Sequence, residues 1–307
     1  VSAYYQRSYE SHPDPEATLE ADVNFCFSPK TADVYRADES NIRYNVAVGY
    51  IGDHRFPLLR ENALKLRTQL QDNGARFIVA LFDENSIRDA RWQMGHENQR
   101  AIYGFLLEKL LSEPWLGIIA KPKVPRSLHI RLGPVAELLK RAEKTGRCHV
   151  FMGSGMLGAQ VPAAAALAAD VAVHGWLHSG TAALEAALAG VPSLMLDLVG
   201  WPASPLYRLG VGKVVFNDWE SLWEALNAHR KRPGGIPGFG DWKPLLDELA
   251  PFRDGLAAQR MGSYLQWMLD GFREGHDRER CMARAAERYA KIWGADKISE
   301  IRRKSWR

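Results

Sequence analysis

The sequence predicts an α/β fold, a doubly wound parallel sheet with a helical C-terminal tail. Three observations carry that reading. From residue 45 onward, short strands and helices alternate strictly. The strands are apolar along their whole length rather than at every second position, as a sheet covered by helices on both faces requires. Gly74, Gly146 and Gly190 each stand just past a helical pattern, where a C-terminal cap belongs.

Taken in order, residues 1–20 are polar, carry Pro13 and Pro15, and read as an irregular lead-in. Residues 21–27 form a short strand, and residues 28–44 look like a linker. A strand at 46–49 opens the alternation, and a helix over 57–72 follows, with Leu58, Leu59, Ala63, Leu66 and Leu70. Strands are then predicted at 76–82, 116–120, 148–151, 170–173, 191–196 and 213–216. Helices fall at 95–112, 133–145, 162–169, 180–189 and 220–229. Residues 231–244 are rich in Gly and Pro and mark a boundary, after which 256–272 and 278–293 read as helices. The organisation is thus 1–45 as the remnant of a preceding domain plus linker, 46–230 as a ligand-binding α/β domain, and 231–307 as a Gly/Pro-rich connection and helical C-terminal region.

Composition narrows the function. Forty Lys plus Arg against 36 Asp plus Glu leave a net charge of +4, too small a surplus to argue for nucleic acid. Cys26, Cys148 and Cys281 are odd in number and widely spaced, which excludes a disulfide framework and a zinc site and suits reduced thiols in the cytosol. No run of about 18 apolar residues spans a membrane. The chain has no P-loop, no strict Gly-x-Gly-x-x-Gly after its first strand, and no Gly-x-Ser-x-Gly elbow. No metal or organic cofactor is implied.

In open α/β sheets, ligands bind beyond the carboxyl ends of the strands. The residues that follow the strands here are 49–55, Asp83-Glu84-Asn85, Lys121-Pro122-Lys123, Gly153-Ser154-Gly155, 174–181 and Asp197. The strongest element is Ser179-Gly180-Thr181 opening into a helix. The exposed N–H groups and partial positive charge of a helix N-terminus suit phosphate, Gly180 admits close approach, and two hydroxyls add donors. Plain N-capping is the alternative reading. Glu185 lies one turn after Thr181 on the same face, placed to accept hydrogen bonds from a ribose. Lys121 and Lys123 stand two apart around Pro122, and at most one of them is expected to face the ligand. Together with Gly49 and Gly52 they are the further candidates to hold phosphate, and Asp197 is a candidate to bind a sugar hydroxyl. His54 and His174 are candidate bases, though a lone histidine is more often structural. Trp176 and Trp201 flank the site. No catalytic base is assignable.

The stretch Ser179-Gly180-Thr181-x-x-Leu184-Glu185, followed by small residues and Gly190-Val191-Pro192, resembles the donor-site motif of GT-B glycosyltransferases, most closely lipid-A-disaccharide synthase. A broader pattern is similar to CDP-glycerol glycerophosphotransferases and surface-polysaccharide transferases. It comprises Val48-Gly49-Tyr50-x-Gly52-Asp53, Lys121-Pro122-Lys123, and Pro251-Phe252-Arg253-Asp254-Gly255 through Arg260. Where that group carries Lys-Pro-His-Pro, this chain has Lys123 in place of the histidine. The resemblance implies a GT-B/Rossmann-like nucleotide-binding half, metal-independent, with the donor phosphate on residues 179–181 and its ribose on Glu185. It implies transfer of a sugar or polyol-phosphate from a nucleotide-activated donor to a lipid-linked or polysaccharide acceptor, in the cytoplasm at the inner face of a membrane. It also implies that a GT-B pair of domains is incomplete within 1–307. A nucleotide-sugar 2-epimerase, which would draw on Asp53, Asp83 and Asp197, is the alternative enzyme; a non-catalytic nucleotide-sugar-binding or scaffold protein is the alternative of another class. Peripheral membrane contact is expected of the basic end, where Lys297, Arg302, Arg303, Lys304 and Arg307 interleave with Ile298, Ile301 and Trp306.

Overall fold

Residues 1–9, 12–13, 18–88, 94–153, 160–178 and 180–302 are described in a computed structural model of the chain. Its elements run β1 (Ala3–Tyr5), β2 (Glu20–Cys26), α1 (Thr31–Ala37), β3 (Asn41–Ala47), α2 (Phe56–Asp72), β4 (Phe77–Phe82), α3 (His96–Ser112) and β5 (Leu116–Lys121). Next come α4 (Leu128–Leu132), α5 (Val135–Lys144), β6 (Cys148–Val150), α6 (Pro162–Ala166), β7 (Val171–His174), α7 (Thr181–Leu188), β8 (Ser193–Leu196) and β9 (Val215–Phe216). The order closes with α8 (Trp219–Lys231), α9 (Lys243–Leu249), α10 (Ala257–Arg273), α11 (Arg278–Trp293) and β10 (Ile298–Ile301). These elements group into two units, Val1–Arg55 with Lys243–Arg307, and Phe56–Trp242.

The second unit is built on six parallel strands in the order β6-β5-β4-β7-β8-β9. Alternate residues of β4 explain why its sequence is apolar throughout. Phe77, Val79 and Leu81 pack with Tyr103, Leu106, Leu139 and Trp223 on one face. Ile78, Ala80 and Phe82 pack with Ala63, Leu70, Ala165 and Ala186 on the other. Helices α3, α5 and α8 therefore cover one face, and α2, α6 and α7 the other. This is the doubly wound α/β arrangement that the alternation predicted, with a helical C-terminal region after it.

The Gly/Pro-rich stretch is not a loose connection. Ser193 N donates to Gly240 O at 2.9 Å, Gly240 N donates to Lys213 O at 2.9 Å, and Trp242 Nε1 donates to Ser193 O at 2.9 Å. Gly240 has φ +65°, and a Cβ there would meet the Ser193 nitrogen at 2.7 Å, so only glycine lets the segment lie this close to β8.

The first unit holds the sheet β1-β2-β3-β10, in which β1, β2 and β3 run parallel and β10 lies antiparallel to β3. Residues 28–44, expected as a linker, instead form α1 and the first half of β3. Strand β3 was expected at the head of the ligand-binding domain; it pairs with β2 in this unit. Helices α10 and α11 bury Tyr264, Met268, Met282 and Tyr289 against Val23, Phe25 and Val46, and Tyr289 Oη donates to Ala47 O at 2.7 Å. The expected membrane-facing end also needs correcting. Ile298 pairs with Val46 in β10 and packs against the core beside it, and Ile301 is fully buried, so these two residues serve the fold. Arg303, Lys304, Trp306 and Arg307 lie outside the described residues. No helix among the described residues is long and apolar enough to cross a membrane.

Candidate functional site

Strand order locates a site in the second unit. Chain order runs outward one way through β4, β5 and β6 and the other way through β7, β8 and β9, so β4 and β7 meet at a switch point where the loops beyond their carboxyl ends diverge. Such a divergence leaves a crevice, the usual ligand position in open α/β sheets. Phe82 pairs with Lys121 of β5 on one side and His174 of β7 on the other, so these three residues form a row at the carboxyl edge.

Three of the predicted phosphate ligands, Gly180, Thr181 and Lys121, stand at that edge. Helix α7 begins at Thr181, with Gly180 as its N-cap at φ −90°, ψ −4°. Gly180 has no side-chain oxygen of its own to offer the first-turn N–H groups. Ser179 lies outside the described residues. Lys121 Nζ donates to Pro122 O at 3.1 Å. Burial pushes its pKa down, while the Asp83 and Glu185 carboxylates pull it back up.

Lys123 is held twice. Its backbone N donates to Asp83 Oδ1 at 2.6 Å, and its Nζ pairs with Glu84 Oε2. Asp83 is buried, and its other oxygen accepts from Gln99 Nε2 at 2.7 Å and Tyr103 Oη at 2.9 Å. Burial raises the Asp83 pKa against the pull of these donors and of Arg131. Arg131, itself buried, donates to Val124 O at 2.8 Å and Glu84 O at 3.3 Å, so it anchors both loops. Gln99, Tyr103 and Arg131 were not among the predicted residues. One signal was present: Gln99 and Tyr103 are four apart on α3, hence on one face, and that face is otherwise apolar, with Ile102 and Leu106.

Two predicted ligands have other occupations. Glu185 is 3% exposed, and its Oε1 accepts from Ala163 N at 2.8 Å, so it caps α6. Both oxygens of Asp197 are engaged by its own loop. Oδ1 accepts from Gly200 N at 3.0 Å, and Oδ2 from Trp201 N at 2.5 Å and Tyr207 Oη at 2.6 Å. Burial first, then this bond to Asp197, pushes the Tyr207 pKa up to about 12. Above these loops Trp176, His178 and Trp201 form an aromatic row, with centroids 5.3 and 4.7 Å apart.

Gly49 and Gly52 belong to the first unit, where the structure gives each a packing reason. Gly49 has φ +97°, and its Cβ would meet Phe252 Cβ at 3.0 Å; at Gly52 a Cβ would press on the Tyr50 ring at 2.8 Å. Asp53 Oδ2 accepts from Gly255 N at 3.0 Å, and burial raises its pKa. Arg260 pairs with Asp254 and stacks over Phe252 at 3.7 Å. The 251–260 pattern thus ties α10 to the turn after β3. His54 is exposed, with Nδ1 2.9 Å from Ile51 O.

No protein-family model matches the chain. No curated protein matches it in sequence. Solved structures do resemble it in fold. MnaA of S. aureus, solved with UDP, is similar with a TM-score of 0.50 at 12% identity, over 81% of this chain and 61% of MnaA. The wall teichoic acid polymerase TagF matches with a TM-score of 0.49 at 11% identity, over 78% of this chain and 56% of TagF. HepE of Anabaena, solved with UDP and glucose, matches with a TM-score of 0.42 at 15% identity, over 88% of this chain and 63% of HepE. The chain therefore spans between 56% and 63% of the lengths of these three proteins. The likeness to MnaA concerns the fold, and that fold is of the doubly wound, GT-B/Rossmann-like kind.

Proposed function

We propose that this chain is a nucleotide-sugar-using enzyme of the GT-B type, specifically a glycosyltransferase. It moves a sugar or polyol-phosphate unit from a nucleotide-activated donor to a lipid-linked or polysaccharide acceptor. The observation that carries this reading is that α7, with its glycine cap, follows β7 and that Lys121 ends β5, on either side of β4 at the sheet's carboxyl edge. In such a transfer the nucleotide diphosphate leaves as an anion. The N–H groups of residues 181–183, the Thr181 hydroxyl and Lys121 are fixed positive groups where that charge develops, and they need little reorganisation. Ser179 belongs to the same loop. Lys123 reaches the anion only by leaving Glu84. The likeness in fold to MnaA, solved with UDP, makes UDP the first nucleotide to try.

The epimerase alternative is the weaker reading on chemical grounds. It needs carboxylates at the reacting sugar carbon, and two of its three candidates, Asp83 and Asp197, already accept hydrogen bonds from protein groups on both oxygens.

Calorimetry with UDP, CDP, CMP and their sugars tests the proposal. One nucleotide family should bind. Lys121→Met should weaken it about tenfold or more, since a hydrogen bond to a charged group is worth roughly 1.5–3 kcal/mol. Binding by none of them, or wild-type affinity in Lys121→Met, would count against the reading.

A further inference from the structure

His174, the last residue of β7, is 1% exposed, and its Nε2 has no hydrogen-bond partner among the described residues. A buried N–H left unpaired is costly, so its retention at the switch point calls for an explanation. Trp176 N donates to Nδ1 at 3.2 Å. A backbone N–H can only donate, so the neutral ring carries its hydrogen on Nε2. That nitrogen faces Glu84 Oε1 at 3.7 Å, beyond hydrogen-bond reach. The other oxygen of Glu84 is taken by Lys123 Nζ. Glu84 is thus a carboxylate between an exposed cation and a buried imidazole, and it serves the cation.

We propose that His174, Glu84 and Lys123 form a proton-linked relay that tunes the switch-point site for a nucleoside diphosphate. A diphosphate that draws Lys123 to itself leaves Glu84 to His174, and the ring takes up one proton from water. The inference rests on the donor-phosphate reading above. His174 acts here as a positioning residue, through Glu84, and touches no substrate.

The other charged groups around the ring are committed elsewhere. Asp83, after β4, accepts from Lys123 N, Gln99 and Tyr103. Lys121, on β5, folds onto Pro122 O. Asp197, after β8, is enclosed by its own loop, and Glu185 of α7 accepts from Ala163 N. Glu84 and Lys123 are therefore the pair that acts on His174. Burial in the first place, and Lys123 with it, push the ring's pKa down to about 4, while Glu84 pulls it up. Removing the lysine's charge from Glu84 and adding a phosphate anion both shift the balance upward. The second proton goes to Nδ1, which ends the Trp176 donation at the head of the loop leading to Thr181.

Two measurements test the relay. The first needs no nucleotide: the imidazole resonances of His174 are followed against pH in wild type, Lys123→Met and Glu84→Gln. The His174 pKa should rise in Lys123→Met, which mimics withdrawal of the lysine, and fall in Glu84→Gln. An unchanged value in both variants would overturn the coupling. The second is calorimetry of UDP-glucose and CDP-glycerol in two buffers of different ionisation enthalpy at pH 6. Nucleotide diphosphates esterified at both ends have no phosphate group titrating there. Wild type should take up protons on binding, and His174→Gln should take up none. For a bound-state pKa near 6, wild-type affinity should be about fourfold tighter at pH 5.5 than at pH 8. Binding with buffer-independent heat in wild type, or equal uptake in His174→Gln, contradicts the relay. Failure of both ligands to bind wild type counts against the donor-phosphate reading instead.

Discussion

At the residue scale, buried carboxylates hold the loops at the second unit's carboxyl edge. Asp197 illustrates this role: its loop amides and Tyr207 converge on it, and truncation would leave buried donors without an acceptor. Asp197→Ala should therefore cost about 3 kcal/mol of stability, at the upper end for a lost buried acceptor. Urea unfolding checks this; a loss below about 0.5 kcal/mol would show that the loop does not depend on it. His174 gives a pH signature. Its folded pKa of about 4 lies below the ordinary histidine value of 6.5, so the unfolded chain binds more protons between the two. Stability contributed by the neutral ring is complete above pH 6.5 and is lost as pH falls toward 4. The total is on the order of 3 kcal/mol. Unfolding curves at pH 4.5 and 7.5 for wild type and His174→Gln should show a smaller pH dependence in the variant. Equal pH dependence would mean that the ring titrates normally.

At the element scale, the sequence was most legible where one strand's apolar run met one helix's period. Strands β4, β5, β7 and β8, and helices α2, α3, α7, α10 and α11, stand within a few residues of their predicted bounds, because a strand buried on both faces and a helix buried on one leave different patterns. Helix α1 was hidden because its seven residues are too few for periodicity to declare itself. Strand β10 was hidden for another reason: its pairing partner β3 lies some 250 residues earlier, and nothing local distinguishes Ile298–Ile301 from a frayed basic end. Site residues followed the same division. Lys121, Lys123, Gly180 and Thr181 are legible because they follow strands, whereas the Asp83–Gln99–Tyr103 network needs α3 folded back on β4. Strand β10 itself can be tested. Ile301→Asp puts a carboxylate at a fully buried position and should destabilise the first unit by about 3 kcal/mol or more. Hydrogen exchange along β3 and β10 reports it, and unchanged protection would contradict the pairing.

At the scale of the whole molecule, the ligand position proposed for the second unit lies beyond the carboxyl ends of β4 and β7. Reversal of strand order makes the crevice, α7 aims its N-terminus into that edge, and Lys121 stands in the same row of residues. The first unit contributes its own sheet and the α10–α11 pair, with the 251–260 segment fastened to the turn after β3. The most direct measurement is hydrogen–deuterium exchange of the intact chain with and without saturating nucleotide, UDP first and CDP second. Within the second unit, protection should concentrate in peptides covering residues 83–88, 121–127 and 174–184. Protection confined to the opposite, amino-terminal edge of the sheet, or no protection with either nucleotide, would contradict the account.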